Sequence, residues 1–174
     1  MKKLLPLLLG AWPYLVLWMM SIFGGKEEGN HGLELLLLIA LTVVVYVTNI
    51  VNAFTYKIED AKKLAFWDMV IKLIHIPFYL IVFIAGVALL MAMVVPALVF
   101  VSPFLVAILA VIDFFLMLTS SAYGIHALIR AKKNGVVSVK FVMVHSILHL
   151  FFVTDVISAV IVFVKVRKCK LQSE

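Results

Sequence analysis

The chain has 174 residues, 66 % of them hydrophobic and 14 % charged, with a mean hydropathy of +1.21 and a net charge of +6. Ordinary globular chains carry about 25 % charged residues, and a soluble fold of this size cannot hide so much apolar surface from water. That excludes a soluble domain and, with it, a nucleic-acid-binding module; the excess cations read as anchors flanking membrane spans, and the lipid bilayer is the first expected partner.

Because lipid satisfies no backbone group, the expectation is a single all-α transmembrane domain over residues 1–174. Lys2-Lys3 followed by Leu4 to Phe23 has the charged start of a signal peptide. The apolar run is long, however, holds Trp12, Tyr14 and Trp18, and lacks a small-x-small cleavage site, so it reads as a retained first span, 4–23. Pro6 falls in its first turn, and Pro13 is expected to kink it. A short polar loop leads to the second span, 33–56, with Glu34 at its outer margin. A charged connector follows, Lys57-Ile-Glu-Asp-Ala-Lys-Lys63. Asp68 and Lys72 stand i,i+4 in the acid-first order, which predicts an ion pair at the inner edge of the membrane.

From Leu73 to Ile112 there is no Asp, Glu, Lys or Arg. Forty residues of helix rise about 60 Å, twice the roughly 30 Å of a bilayer's hydrocarbon core. Pro96 and Pro103 mark a turn within it, so the stretch predicts a central helical hairpin made of a third span, 66–94, and a fourth, 97–126, whose helix continues to Arg130. Lys132-Lys133-Asn134-Gly135 is a basic turn. A fifth span, 139–165, and a basic tail complete the chain. The predicted architecture is therefore a polytopic protein of five transmembrane helices. The alternative is four spans plus an interfacial or re-entrant C-terminal helix, with Asp155 marking the break.

With the N-terminus in the cytoplasm, five spans place ten cations inside and five outside, which favours that orientation by the positive-inside rule. The alternative removes its one awkward feature, a tail with Lys165, Arg167, Lys168 and Lys170 facing out.

Polar groups inside a membrane call for a partner or a task. Counting back from the proline turn sets Asn52 and His145 at the inner edge of the hydrocarbon. It sets Asn49, Asp113 and His149 at one level roughly 7–9 Å deeper, and Asp155 near the middle. His145 and His149 share a helix face, as do Asn49 and Asn52. These six residues predict a polar pocket open to the cytoplasm. Such groups also serve as inter-helix glue worth about 1 kcal/mol. His145 and His149 have the spacing of helical metal ligands, a weak signal alone, and no cofactor is implied. His75, just before Pro77, reads as a partner for freed backbone, and His126 and Arg130 as snorkelling groups. Ser120 and Gly124 form a small-x-x-x-small pair that allows close helix approach.

No nucleophile elbow, phosphate loop or dinucleotide fingerprint occurs, and catalytic residues are not expected. The expected function is that of a non-enzymatic accessory or interaction subunit of the cell membrane, packing with itself or a partner. The alternatives are a permeation protein for a small solute or protons through the inner pocket, and a membrane-embedded metal enzyme using His145, His149 and an acid.

Overall fold

The computed structural model describes residues 4–24, 31–56 and 60–170, with no strand among them. Its helices are α1 (Leu4–Gly24), α2 (His31–Phe54), α3 (Ala61–Ala92), α4 (Val101–Lys133), α5 (Val139–Leu148) and α6 (Phe152–Lys170). Four of the described helices are long and apolar enough to cross a membrane: α1 over Leu4–Ile22, α2 over Gly32–Phe54, and α3 and α4 throughout.

The long uncharged stretch is divided between two helices. α3 stops at Ala92, a run of turns covers residues 93–100, and α4 starts at Val101. Pro96 lies in the turns, and Pro103 in the first turn of α4, where a missing N–H breaks no intrahelical bond. α3 and α4 share the most extensive contact of any helix pair. The turn between them is called the tip below, and the opposite end the base.

α1 rises from base to tip beside α3. Tyr14 sits edge-on to Phe78, centroids 6.2 Å apart, and its hydroxyl donates to the Ile74 carbonyl at 2.5 Å. α1 continues through Pro13. That proline leaves the Leu9 carbonyl without its usual i+4 donor, and His75 Nε2 on α3 donates to it at 3.1 Å. His75 thus serves freed backbone as expected, but the proline that frees it is Pro13 on another helix rather than neighbouring Pro77.

α2 descends to the base, where Arg130 of α4 closes it. The guanidinium donates to the carbonyls of Phe54 (3.0 Å) and Tyr56 (3.0 Å from Nε). Those are orphaned carbonyls at and just past the end of α2. Arg130 is 8 % exposed, so it does not snorkel; it is a cap donated from one helix to another. α4 itself ends on a Gly: Gly135 takes φ +72°, Val136 N–H reaches the Ala131 carbonyl and Gly135 N–H the Lys132 carbonyl, both at 2.9 Å. This reciprocal closure needs a residue at home in the left-handed region.

The stretch predicted as a continuous fifth span is two helices. Ser138 caps α5 by accepting from Phe141 N–H at 3.3 Å. Ten residues later α5 ends, and tight turns at His149 to Phe151 reverse the chain. The Thr154 hydroxyl donates to the Leu148 carbonyl at 3.0 Å, and Ser121 of α4 donates to the His149 carbonyl at 3.1 Å, so the broken helix end is satisfied. α6 then runs back beside α5: His149 meets Asp155 at the bend, and His145 meets Ser158 further out. It also runs antiparallel to α3, with Asp155 at Lys72 and Phe163 against Phe66. Lys165, Arg167 and Lys168 therefore lie beyond Phe66, at the base. The stretch enters and leaves by one end, as in the four-span arrangement.

Candidate functional site

Where α3, α4 and the α5–α6 bend meet, four ionisable side chains converge. Lys72 and Asp68 lie one turn apart on α3, with Nζ 2.9 Å from Asp68 Oδ1. Lys72 Nζ also contacts Asp155 Oδ1 at the start of α6. His149, at the end of α5, places Nδ1 2.6 Å from Asp155 Oδ1 and 2.7 Å from Lys72 Nζ. Its Nε2 faces Asp68 Oδ2 at 3.9 Å, and neither atom has a hydrogen-bond partner among the described residues. Ser121 adds a hydroxyl, 3.3 Å from Asp155 Oδ1.

Lys72, Asp68 and His149 are fully buried, and Asp155 is 1 % exposed. Ionised groups leave water only when paired, and two carboxylates need two positive charges for neutrality. Lys72 supplies one; a proton on the imidazole or on a carboxyl supplies the other. Room for the group exists because α4 presents Gly124 here. A Cβ at that position would stand 2.6 Å from Asp68 Oδ2 and 2.7 Å from His149 Nε2, closer than real contacts allow.

The site lies near the base. Ser121 is twenty residues into α4 from Val101, about 30 Å along the axis and so at the far boundary of a hydrocarbon core. Asp68 and Lys72, spaced for an ion pair, stand 2.9 Å apart and are sealed inside the protein rather than set at an aqueous edge. Asp155 was placed near mid-membrane by assuming a continuous fifth span; the bend brings it down to the level of Lys72.

The six residues expected to share one pocket are distributed over four places. His149 and Asp155 join Lys72 and Asp68. Asn49 and Asn52 form a second network between α2 and α4: the Tyr123 hydroxyl donates to Asn49 Oδ1 at 2.9 Å and accepts from Asn52 Nδ2 at 3.0 Å. Asn49 Nδ2 donates to the Val45 carbonyl at 2.9 Å. His145 pairs with the Ser158 hydroxyl at 2.7 Å, so the two histidines take separate partners on α6 instead of converging on one point. Among the described residues no group of three or more His, Cys, Asp and Glu is arranged to hold a metal. Asp113 stands apart, half-buried beside a groove between α3 and α4. It is ten residues from Tyr123 along α4, about 15 Å, so Asn49 and Asp113 do not share a level. The count failed because the depth of α2 had no marker of its own.

Ser121, Tyr123 and Gly124 are the residues the pocket expectation missed. One α4 segment turns Tyr123 toward α2 and Ser121 and Gly124 toward the charged site. Small residues at 120, 121 and 124 were the available signal: they mark where neighbours come close.

The class this fold defines is the all-α protein with, among the described residues, four helices long and apolar enough to cross a membrane and a charged site closed between helices. More particularly, residues 2–168 match a family described as "Family of unknown function (DUF6652)", and the chain belongs to that family. No curated protein and no solved structure matches it.

Proposed function

We propose that the protein is a small non-enzymatic subunit of the cell membrane that works by packing against a partner chain. It has four spans, a central α3–α4 hairpin, and an α5–α6 re-entrant hairpin dipping in from the cytoplasmic side. The orientation rests on charge. Lys62, Lys63, Lys132, Lys133, Lys140, Lys165, Arg167 and Lys168 belong to the base, whereas residues 93–100 at the tip carry no charge. The base is then cytoplasmic, and the N-terminus with it.

The carrying observation is the sealing of the Lys72–Asp68–His149–Asp155 set. Charges that serve a passing solute need a wet approach. These four are enclosed by three helical elements and pair in charge with one another, so their work is to lock the α5–α6 hairpin onto α3 and α4. What the molecule offers outward is apolar surface over most of its length. Extraction from its own membrane in mild detergent tests the reading. The expected result is a stoichiometric second membrane protein beyond the 19.5 kDa chain. A chain recovered alone, and conducting ions when reconstituted, overturns it.

One observation favours a second reading, proton permeation: Asp68 and His149 hold facing atoms without hydrogen bonds. It requires a pH-driven proton flux into vesicles containing the protein, lost in Asp155→Asn while the protein still inserts. Equal leak from wild type and empty vesicles removes it.

A further inference from the structure

Asp113 is the one acidic residue of α4 and takes no part in any of the networks above. It is twelve residues below Val101, about 18 Å along the helix, and eight above Ser121, about 12 Å. In a bilayer spanned by α4 that depth lies within the hydrocarbon. Its Oδ1 is buried and has no hydrogen-bond partner among the described residues. The carboxyl closes the lower end of a groove of about 310 Å³ between α3 and α4, walled by Tyr79, Phe83, Val106 and Leu109. Gly86 lies on its floor, where an added Cβ would meet nothing within 4 Å. The groove is therefore open to lipid, apolar along its length, and acidic at one point.

An uncompensated carboxyl deep in hydrocarbon is costly, and such residues pair with a group of opposite charge. The chain itself does not supply one: residues 73–112 hold no Lys or Arg, so a second copy in register would bring hydrocarbon or another Asp113. A phospholipid would place only its tail here. Charge complementarity leaves a transmembrane helix of a different protein, with a Lys or Arg near its middle. We propose that the α3–α4 groove is the docking face for such a helix, and that Asp113 pairs with its basic residue. This rests on the accessory-subunit reading and names the chemistry of the partner.

The test uses the full chain, donor-labelled, in phosphatidylcholine vesicles. Acceptor-labelled Leu–Ala transmembrane peptides of about 20 residues carry Lys, Leu or Glu at their centre, which lies near the depth of Asp113 in either orientation. Energy transfer should show the Lys peptide binding about tenfold more tightly than the Leu peptide, the Glu peptide more weakly still, and the Lys advantage lost in Asp113→Leu. Thermal unfolding of Asp113→Leu should match wild type, which excludes misfolding as the cause. Equal binding of Lys and Leu peptides, or an advantage that survives in Asp113→Leu, overturns the proposal. Self-association of wild type that Asp113→Leu abolishes also overturns it, making a second copy the occupant. A proton flux through the protein would instead sink the subunit reading and leave the peptide result standing.

Discussion

The tip half and the base half of this molecule are built on different principles. Toward the tip, α3 and α4 meet through apolar side chains, and beside them lie open grooves lined by residues such as Leu80, Phe83 and Leu90. Toward the base, hydrogen bonds and ion pairs link every neighbouring element: Asn49–Tyr123 between α2 and α4, Arg130 to the end of α2, His75 to α1, and the four-residue charged site between α3 and the α5–α6 bend. Lipid is as apolar as a leucine side chain, so hydrophobicity does not drive helices together within it. Polar contacts then decide which faces meet. The base half is specified; the tip half is left available.

That contrast can be broken most sharply at Lys72. Lys72→Ala leaves two buried carboxylates facing each other and should cost about 3–5 kcal/mol, read from unfolding in mixed detergent micelles. Adding Asp155→Leu to Lys72→Met should recover much of the loss, since an uncharged pair needs no counter-ion; strictly additive costs would mean the two side chains do not interact. Gly124→Ala is next. Its Cβ would enter the space between Asp68 and His149, at 2.6 and 2.7 Å, and should cost about 1–3 kcal/mol in the same assay. Tyr123→Phe removes the hydroxyl shared by Asn49 and Asn52 and should cost about 1 kcal/mol. At the small end stands Asp113→Leu, expected to change stability by less than about 0.5 kcal/mol because among the described residues its buried Oδ1 has no hydrogen bond to lose. A large destabilisation there would erase the distinction between the halves.

Much of the helical plan was legible. The uncharged run of residues 73–112, its prolines and the Asn134-Gly135 turn place α3 and α4 because length, missing N–H groups and left-handed backbone are local properties. The reversal at His149 to Phe151 was less so. It contains no Gly or Pro, and the apolar run continues across it. What ends α5 is tertiary: Thr154 and Ser121 take up its carbonyls, and Lys72 draws His149 and Asp155 inward. Asp155 signalled a break near this place, but its partner on α3 is 83 residues away in sequence. The pocket expectation grouped Asn49, Asp113 and His149 by counted depth and joined the Asn49/Asn52 and His145/His149 faces, but neither a span's depth nor which faces meet is a local property of the sequence. Tyr123 and Gly124 are adjacent in sequence and serve two separate networks because adjacent helical positions point about 100° apart.

The fold-back of α5 and α6 bears on how the protein reaches its membrane. In the proposed orientation, with the start of α1 and the end of α6 at a cytoplasmic base, two connections are threaded across during synthesis: the one between α1 and α2, with Lys26 as its lone base, and the uncharged turn at residues 93–100. In that orientation the basic α6 does not make the passage. It can then be laid in from its own side once Lys72 is in position to receive it, and completion of the bundle would be an event of the cytoplasmic leaflet.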